Sequence, residues 1–159
     1  MTQTYDDYSA ERRARLSPEG KVAVAVFSRT RAVATALHEA WRAPRATGNG
    51  TFEPRVKDDG AGGTVDIANT TYEALPSKWQ AENLASATAA IVAVEALARG
   101  DNVDTELVSA AVHVAWLERN GDWAEPEQAV PYAQLSEMEK DKDRSVAAAA
   151  AAALGVQLT

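Results

Sequence analysis

The sequence predicts an all-α protein in which two pseudo-symmetric helical halves pack as one domain. Three observations support this class. Alanine is abundant while aromatic residues make up only 6%, which favours helix over sheet. Apolar residues recur at helical spacing in four segments. The motif H-x-x-W occurs twice, and it contains both histidines of the 159-residue chain.

The first helix is predicted to begin at Ser17, which can cap it, with Pro18 at the first helical position. Pro44 should end this helix near Arg42. One helical face carries its apolar residues, which are Val26, Val33, Leu37 and Trp41. The segment 1–15 is polar and charged without an apolar period, and we interpret it as a flexible N-terminal arm.

Residues 43–68 are predicted to form a long loop that contains the turn signals Asn49-Gly50 and Asp59-Gly60. Within this loop, the stretches TFEPRV and TVDIA can pair as a short β-hairpin. The second helix should follow Pro76 and end at Gly100, a residue that suits a left-handed cap. Its apolar stripe consists of Trp79, Leu84, Ile91, Val94 and Leu97.

The third helix should begin near Asp104 and end at Asn120-Gly121. Two neighbouring lines of apolar residues follow it, one through Leu107, Ala111, Val114 and Leu117 and the other through Val108, Val112 and Trp116. The fourth helix should begin after Ser136, because Ser136 and Glu139 have the spacing of a capping box. It should end at Gly155.

The two halves share one order of motifs. LHEAW aligns with VHVAW, and TTYEALPSKW aligns with VPYAQLSEME, so that each half reads H-x-x-W, loop, Y-x-x-L and capped helix. The first loop is the longer one and absorbs the difference in spacing. We interpret this pattern as a tandem duplication, with a first repeat in residues 16–100 and a second in residues 101–159.

The second half resembles the ryanodine receptor repeat, the small helical RyR domain that also occurs alone in bacteria and phages. The matching residues are Val130, Pro131, Tyr132, Leu135, Glu139, Lys140, Asp143 and Arg144, together with the H-x-x-W motif. The resemblance covers roughly residues 103–156. The first half is a more divergent copy, since it keeps the histidine, tryptophan, tyrosine and leucine of the pattern but lacks its Pro-Tyr and Asp-Arg.

The resemblance implies a binding module for an adenine nucleotide or an ADP-ribose-type signalling molecule. In that family, paired repeats form a cleft in which the tryptophans of H-x-x-W hold the base. By position, Trp41 and Trp116 would face each other here. A free-standing pair would act as a sensor of the ligand or as a sponge that sequesters it, in the cytoplasm of a bacterial cell or of the host of a phage.

The residue types allow this chemistry. A base stacked on an aromatic side chain gains ~1–3 kcal/mol, and arginine offers paired donors to phosphate oxygens. The basic residues that follow the two tryptophans are Arg42, Arg45, Arg55, Lys57 and Arg119. The polar residues near the turns, which can read the edge of a base, are Asn69, Thr70, Thr71 and Tyr132.

Several of these residues also fit structural roles. His38 and His113 should each bond a loop carbonyl and orient the neighbouring tryptophan. Tyr72 should anchor its turn, and Asp143 and Arg144 fit a solvated charged helix face. The four tryptophans can pack in a core, and packing is the favoured interpretation for Trp79 and Trp123, which have no counterpart in the other half.

Composition excludes several functions. Residues 1–100 carry 12 basic and 12 acidic side chains, whereas residues 101–159 carry 4 basic and 11 acidic ones, so the whole net charge of −7 lies in the second half. Such a chain does not favour nucleic acid. No apolar run is long enough for a membrane span. No nucleophile motif, cofactor motif or metal-ligand cluster is present, so we expect no enzyme, cofactor or metal. A protein-interaction domain without a nucleotide is the alternative.

Overall fold

A computed structural model describes residue 15 and residues 17–159. Its helices are α1 (Pro18–Arg42), α2 (Ser77–Leu97), α3 (Thr105–Asn120) and α4 (Glu137–Leu154). Its short strands are β1 (Val56–Asp58), β2 (Thr64–Asp66), β3 (Asn102–Val103) and β4 (Gln157–Leu158). The four helices pack against one another, and the predicted all-α class is confirmed. The predicted N-terminal arm, residues 1–15, lies almost entirely outside the described residues.

Local capping chemistry sets most helix ends where the sequence predicts them. The Ser17 side chain accepts a hydrogen bond from the Gly20 amide at 3.1 Å, and Asp104 accepts one from the Leu107 amide at 3.0 Å. Ser136 accepts from the Glu139 amide at 3.3 Å. These side chains satisfy amide donors that the first helical turn leaves unpaired, so α1, α3 and α4 begin at their predicted residues.

The C-terminal ends follow the prediction at α1 and α4 but not at α2. Helix α1 ends at Arg42, and α4 is followed by Gly155 with a φ of 68°, the left-handed conformation that glycine adopts readily. Helix α2 ends earlier than predicted, at Leu97, because Ala98 is already extended with a ψ of 139°. The chain needs this extension to form the bridge between Arg99 and Asn102 that leads into β3.

The predicted hairpin is confirmed as the antiparallel pair of β1 and β2. Its turn is held by the Asp59 carboxylate, which accepts from the amides of Ala61 at 2.7 Å and Gly63 at 2.9 Å. The Trp79 indole nitrogen of α2 donates to the Asp58 carbonyl at 2.8 Å. Trp79 is half-buried against the core, as its packing interpretation requires, and it ties the hairpin to α2.

A second, parallel pair of strands was not predicted. Asn102 pairs with Gln157 and Val103 pairs with Leu158, which joins the beginning of the second half to the C-terminal end of the described chain. Two-residue strands are too short to produce an alternating pattern, so the sequence gives no signal for them.

The core is formed by one face of each helix. Its most deeply buried residues are Val33 and Ala34 of α1, Ala87, Ala90 and Val94 of α2, Val108 of α3, and Ala147, Ala150 and Ala151 of α4. Alanine lines the facing sides of α2 and α4, and small side chains permit close approach of two helices. The core therefore depends on close packing rather than on large aromatic residues.

Four predicted apolar positions are exposed. Leu107 and Val114 of α3 are each 56% exposed, Val26 of α1 is 48% exposed and Leu97 of α2 is 36% exposed. On α3, the line through Val108 and Val112 is buried in the core, whereas the other line exposes Leu107 and Val114 and contributes the half-buried Ala111. The two lines have the same period, so the choice between them is made by the neighbouring helices.

Residues at equivalent positions in the two halves are buried alike. The spacing between them in the sequence is the same as the spacing between the repeated motifs. Val33 and Val108 are 75 positions apart and both buried, as are the pairs of Leu37 with Val112 and of Ala34 with Ser109. At a spacing of 60, Ala87 matches Ala147, Ala90 matches Ala150 and Leu75 matches Leu135, again all buried. Equivalent residues of the aligned halves therefore occupy equivalent places in the core.

Candidate functional site

Each H-x-x-W motif forms the same local arrangement. The His38 ring stacks on Trp41 with centroids 5.9 Å apart and 17° between the planes, and His113 stacks on Trp116 at 6.1 Å and 14°. His38 Nε2 lies 2.7 Å from the Thr70 carbonyl oxygen, and His113 Nε2 lies 2.8 Å from that of Val130. The predicted bonds of both histidines to loop carbonyls are confirmed, and they fix the stacked rings against the loops.

In the second half, the carbonyl also fixes the tautomer of His113. A carbonyl oxygen only accepts, so Nε2 must carry a proton. His113 Nδ1 lies 3.3 Å from the Asp143 carboxylate, and both side chains are largely buried, with exposures of 5% and 14%. A hydrogen bond between them requires one proton, either on Nδ1 or on the carboxyl group. The pair is therefore a site at which one proton is shared between α3 and α4.

The first half lacks this pair. Asn83 stands at the position equivalent to Asp143, and its amide donates to the Trp79 carbonyl of its own helix at 3.0 Å. Trp79, which packs on the core, stands at the position equivalent to Glu139. The two halves thus share a frame but differ in the charge and volume beside the histidine.

A cavity of about 180 Å³ opens beside the His113 and Asp143 pair. Its lining consists of Ser86, Val112, His113, Trp116, Gln128, Glu139, Lys142, Asp143 and Val146. Helices α3 and α4 supply most of these residues, α2 supplies Ser86, and the loop before the second Y-x-x-L turn supplies Gln128. The volume is below the ~300–1,000 Å³ of drug-sized ligand sites, so it suits one planar ring system.

The two carboxyl groups that line the cavity have pKa values shifted from those of free side chains. Burial raises the pKa of Asp143 to about 6, with the neighbouring Glu139 raising it further and His113 opposing the rise. Burial also acts to raise the pKa of Glu139, but hydrogen bonds from Lys142 and Gln128 outweigh it and leave that pKa below its usual value. A titratable pair in a cavity is a common feature of functional sites.

Trp123 differs from its predicted packing role. Its side chain is 66% exposed, and its ring meets Trp116 edge to face, with centroids 5.9 Å apart and 71° between the planes. It packs on another tryptophan at the surface and does not enter the core. The packing interpretation of Trp123 was wrong because the loop that follows Gly121 leaves the helical bundle there.

Trp41 has different neighbours from Trp116. The Arg45 guanidinium lies over the Trp41 ring, 4.1 Å from its centroid, and also donates to the Trp41 carbonyl. Burial and the nearby Arg55 lower the pKa of Arg45. Trp41 is not part of the cavity lining. The stacking of one base between both tryptophans stays a prediction, since the cavity presents only Trp116.

The remaining basic residues of the first half are engaged within the fold or exposed. Arg42 is buried, donates to the Ala68 carbonyl at 2.8 Å and pairs with Glu39 at 2.8 Å. Arg55 pairs with Glu53 at 3.2 Å. Lys57 is exposed on β1. None of the four first-half residues predicted to contact phosphate lines the cavity.

The predicted base-reading residues are also hydrogen bonded. Asn69 bonds the Phe52 backbone through both its amide oxygen and its amide nitrogen, each at 2.9 Å. The Thr70 hydroxyl donates to the Asp66 carbonyl at 2.7 Å. Thr71 precedes the 3₁₀ turn Tyr72–Ala74 and accepts two backbone hydrogen bonds from it. These contacts shape the turn that receives His38.

The remaining predicted residues connect helices. Arg119 reaches from α3 to Glu82 of α2 at 3.1 Å, and it donates to the Ser86 hydroxyl at 3.1 Å. The Tyr132 hydroxyl donates to Glu106 at 3.0 Å. Tyr72 is buried and anchors its turn, because its carbonyl accepts from Gln80 at 3.0 Å.

Arg144 is more than part of a solvated face. Its guanidinium contacts Glu106 of α3 at 2.7 Å, and it contacts Glu137 and Asp141 of its own helix at 2.8 Å each. These contacts raise the pKa of Arg144 above its usual value. The side chain therefore ties the beginning of α3 to the beginning of α4, the two helices that form the cavity.

Of the predicted site residues, Trp116, His113 and Asp143 line the cavity together. The polar lining residues that sequence reasoning did not select are Ser86, Gln128, Glu139 and Lys142. Glu139 belonged to the matched pattern but was assigned only to capping, and the others carry no motif. Glu139 and Lys142 lie about one helical turn from Asp143 on α4, whereas Ser86 lies on α2 and Gln128 in a loop, so no shared local signal identifies them.

Comparison with known proteins adds no further assignment, because no family model, curated protein or solved structure matches this chain. No helix in the described part of the chain is long and apolar enough to cross a membrane. Within residues 17–159, no group of three or more acidic, histidine or cysteine side chains is arranged to hold a metal ion.

Proposed function

We propose that this protein is a non-enzymatic binding module for an adenine nucleotide or an ADP-ribose-type signalling molecule. The observation that carries the proposal is the cavity beside the second H-x-x-W motif, where one indole borders a space of about 180 Å³ with polar groups around it. Such a space takes a base-sized ring, and the aromatic wall supplies stacking energy of ~1–3 kcal/mol. The resemblance of this half to the RyR domain points to the same ligand class.

In this proposal the base lies against Trp116, and the ribose and phosphates extend out of the cavity. Two carboxylates, Glu139 and Asp143, line the cavity, so its interior disfavours phosphate. The second half carries the whole net charge of −7, which directs the phosphates toward the neutral first half. There the basic residues of the first loop, among them Arg45 and Arg55, are the expected phosphate contacts.

A thermal-shift panel tests the proposal. Purified protein is mixed with ATP, ADP, AMP, cyclic AMP, ADP-ribose, cyclic ADP-ribose and NAD. A ligand that binds the folded state at 100 times its dissociation constant adds ~2.7 kcal/mol of stability, which corresponds to a rise in Tm of several degrees for a domain of this size. A rise with one of these compounds supports the proposal and identifies the ligand class. No rise with any of them at millimolar concentration contradicts it.

A protein-interaction domain is the second candidate, and one observation favours it. The outer face of α3 exposes Leu107 and Val114, each at 56%, two turns apart on the same side of the helix. Exposed apolar residues that share one face are typical of contact surfaces. Replacing both residues by glutamine leaves ligand binding unchanged if the module binds nucleotide alone. Loss of self-association, measured by analytical ultracentrifugation, supports the second candidate.

A further inference from the structure

We infer that the cavity selects planar groups that present N–H donors or positive charge, and that Asp143 is the residue that reads them. In terms of the ligand, this means the amino edge of adenine or an amidinium group, and not the unsubstituted edge of purine or a carboxylate. The identity of the base rests on the proposed function. The preference for donors is a property of the cavity itself.

Three side chains in the cavity wall donate hydrogen bonds to acceptors of the protein itself. Lys142 Nζ donates to Glu139 at 2.6 Å, and Gln128 Nε2 donates to the same carboxylate at 3.3 Å. His113 uses Nε2 for the Val130 carbonyl and Nδ1 for Asp143. Among these donors, only the His113 ring lies within bonding distance of Asp143, and those of Lys142 and Gln128 are directed at Glu139.

The Asp143 carboxylate has room to accept further hydrogen bonds. An ionised carboxylate only accepts hydrogen bonds, and its two oxygens have room for about four. Within the described chain, Asp143 has His113 as its one side-chain partner, through a single oxygen. Its side chain is 14% exposed and lines the cavity. Asp143 can therefore accept further hydrogen bonds inside the cavity. A ligand forms these bonds only if it supplies the donor groups.

The two halves differ in the residue that stands beside the histidine. Asn83 replaces the carboxylate in the first half, where the histidine and tryptophan stack in the same way. The stacked arrangement of histidine and tryptophan therefore does not depend on an acid at this position. The acid lines the cavity, at a position where the first half has an amide, so we assign it to ligand recognition. Asp143→Asn introduces the residue type that the first half already accommodates.

The experiment measures affinities by isothermal titration calorimetry with two matched pairs of probes. AMP and purine riboside 5′-monophosphate differ only in the amino group of the base, and benzamidine and benzoate are planar groups of similar size and opposite charge. Wild type is compared with Asp143→Asn and with the control Asp101→Asn, which removes an equal charge at an exposed position outside the cavity. Each variant is first checked for a folded circular dichroism spectrum.

The inference predicts that wild type and Asp101→Asn bind AMP at least about tenfold more tightly than purine riboside 5′-monophosphate, because a hydrogen bond to a charged group is worth roughly 1.5–3 kcal/mol. They bind benzamidine in preference to benzoate, and Asp143→Asn loses both preferences. Equal affinity for the two nucleotides together with equal affinity for benzamidine and benzoate overturns the inference. Preferences that persist in Asp143→Asn also overturn it.

Failure of the proposed function has a different signature. If neither nucleotide binds while benzamidine binds in an Asp143-dependent way, the nucleotide proposal fails and the donor preference stands. If no probe binds, both fail. If the two nucleotides bind equally while other adenine ligands raise the Tm, the proposed function stands and the inference fails.

A measurement on wild type keeps the test valid if Asp143→Asn does not fold. The pKa of Asp143 is raised to about 6, so the carboxyl gains its negative charge as the pH rises through that value. The groups facing it are His113 of α3 and Glu139 and Lys142 of α4. Benzamidine keeps its charge throughout, so its affinity should rise as the pH passes through about 6. An affinity that stays constant or falls overturns the inference.

Discussion

A single proton links His113 and Asp143 across the interface of α3 and α4. The Val130 carbonyl fixes the proton on Nε2, which leaves the contact of 3.3 Å between Nδ1 and the carboxylate to be filled by one more proton. In a largely buried pair, the charge state of this contact matters for the energy of the fold as well as for a ligand. The same residues therefore connect stability and recognition.

Asp143 should give the protein a pH-dependent stability. Its folded-state pKa of about 6 lies above the ~3.9 of an unfolded aspartate. The folded state therefore holds the proton more tightly, and this stabilisation is fully present below about pH 4 and is lost as the pH rises through about 6. Relative to Asp143→Asn, the free energy of unfolding of wild type should fall by on the order of 2 kcal/mol across this window.

Urea unfolding of both proteins at a series of pH values measures this difference. Asp101→Asn serves as the control, and its difference from wild type should not follow the same profile. A difference between wild type and Asp143→Asn that is constant between pH 4 and pH 7 would contradict the assignment of the raised pKa.

Sequence reasoning at this scale was strongest for contacts within a few residues. It predicted that His113 orients the neighbouring Trp116, because the motif is local. It did not predict the pairing of His113 with Asp143, since these residues are 30 positions apart and meet only through the packing of two helices. The exposure of Trp123 could not be predicted either, because no local sequence pattern distinguishes a surface tryptophan from a core one.

Among the helices, α3 and α4 are joined by a cluster of charges at their N-terminal ends. Arg144 contacts three carboxylates, those of Glu106, Glu137 and Asp141, and Tyr132 adds a hydrogen bond to Glu106. These contacts are solvent-accessible, but they form a network around one guanidinium rather than an isolated pair. Networks of this kind contribute more than single surface ion pairs.

Arg144→Ala should lower the Tm, and the loss should be smaller at high salt. Without the guanidinium, three carboxylates repel one another, and salt screens this repulsion because the Debye length falls to ~3 Å at 1 M. The control is Arg99→Ala, which removes an equal charge from an exposed residue. Thermal unfolding at low and high salt measures both. A Tm loss in Arg144→Ala that does not depend on salt would show that the network acts through packing.

The N-terminal cap of α4 should make its own contribution to the free energy of unfolding. Ser136→Ala removes the acceptor of the Glu139 amide and should cost about 1 kcal/mol in the free energy of unfolding. Ser145→Ala in the same helix is the matched control, since its hydroxyl bonds only the Asp141 carbonyl and alanine is a good helix former. Chemical denaturation compares the two, and equal effects would contradict the capping role.

Helix ends were predictable because caps and prolines act locally, whereas helix faces were not. On α3, the lines through Leu107 and through Val108 have the same period, and the sequence alone does not say which one meets α2 and α4. The structure exposes Leu107 and buries Val108. The parallel strands at Val103 and Leu158 were missed for a related reason, since their pairing depends on residues far apart in the chain.

For the whole molecule, the duplicated pattern in the sequence appears as equivalent burial and equivalent histidine bonds in the two halves. The halves differ where a ligand would sit. The second half has Glu139 and Asp143 beside its histidine, and the first has Trp79 and Asn83. In the described part of the chain, pseudo-symmetry therefore provides two similar frames, and the second of them has the acidic cavity beside its histidine, where we expect one ligand to bind.

The central claim is that Trp116 is the platform for the ligand base. The most direct measurement is the affinity, by isothermal titration calorimetry, of the nucleotide that gives the largest thermal shift. It is measured for wild type, Trp116→Ala and Trp41→Ala, after circular dichroism has shown that each protein is folded. Trp116→Leu, which keeps an apolar side chain, replaces Trp116→Ala if that variant unfolds.

We predict one bound ligand per chain in wild type and an affinity at least about fivefold weaker in Trp116→Ala, since the lost stacking is worth ~1–3 kcal/mol. An equal loss in Trp41→Ala would support the two-sided stacking predicted from the sequence, and an unchanged affinity would support a base held by Trp116 alone. Wild-type affinity in the folded Trp116 variant would contradict the account.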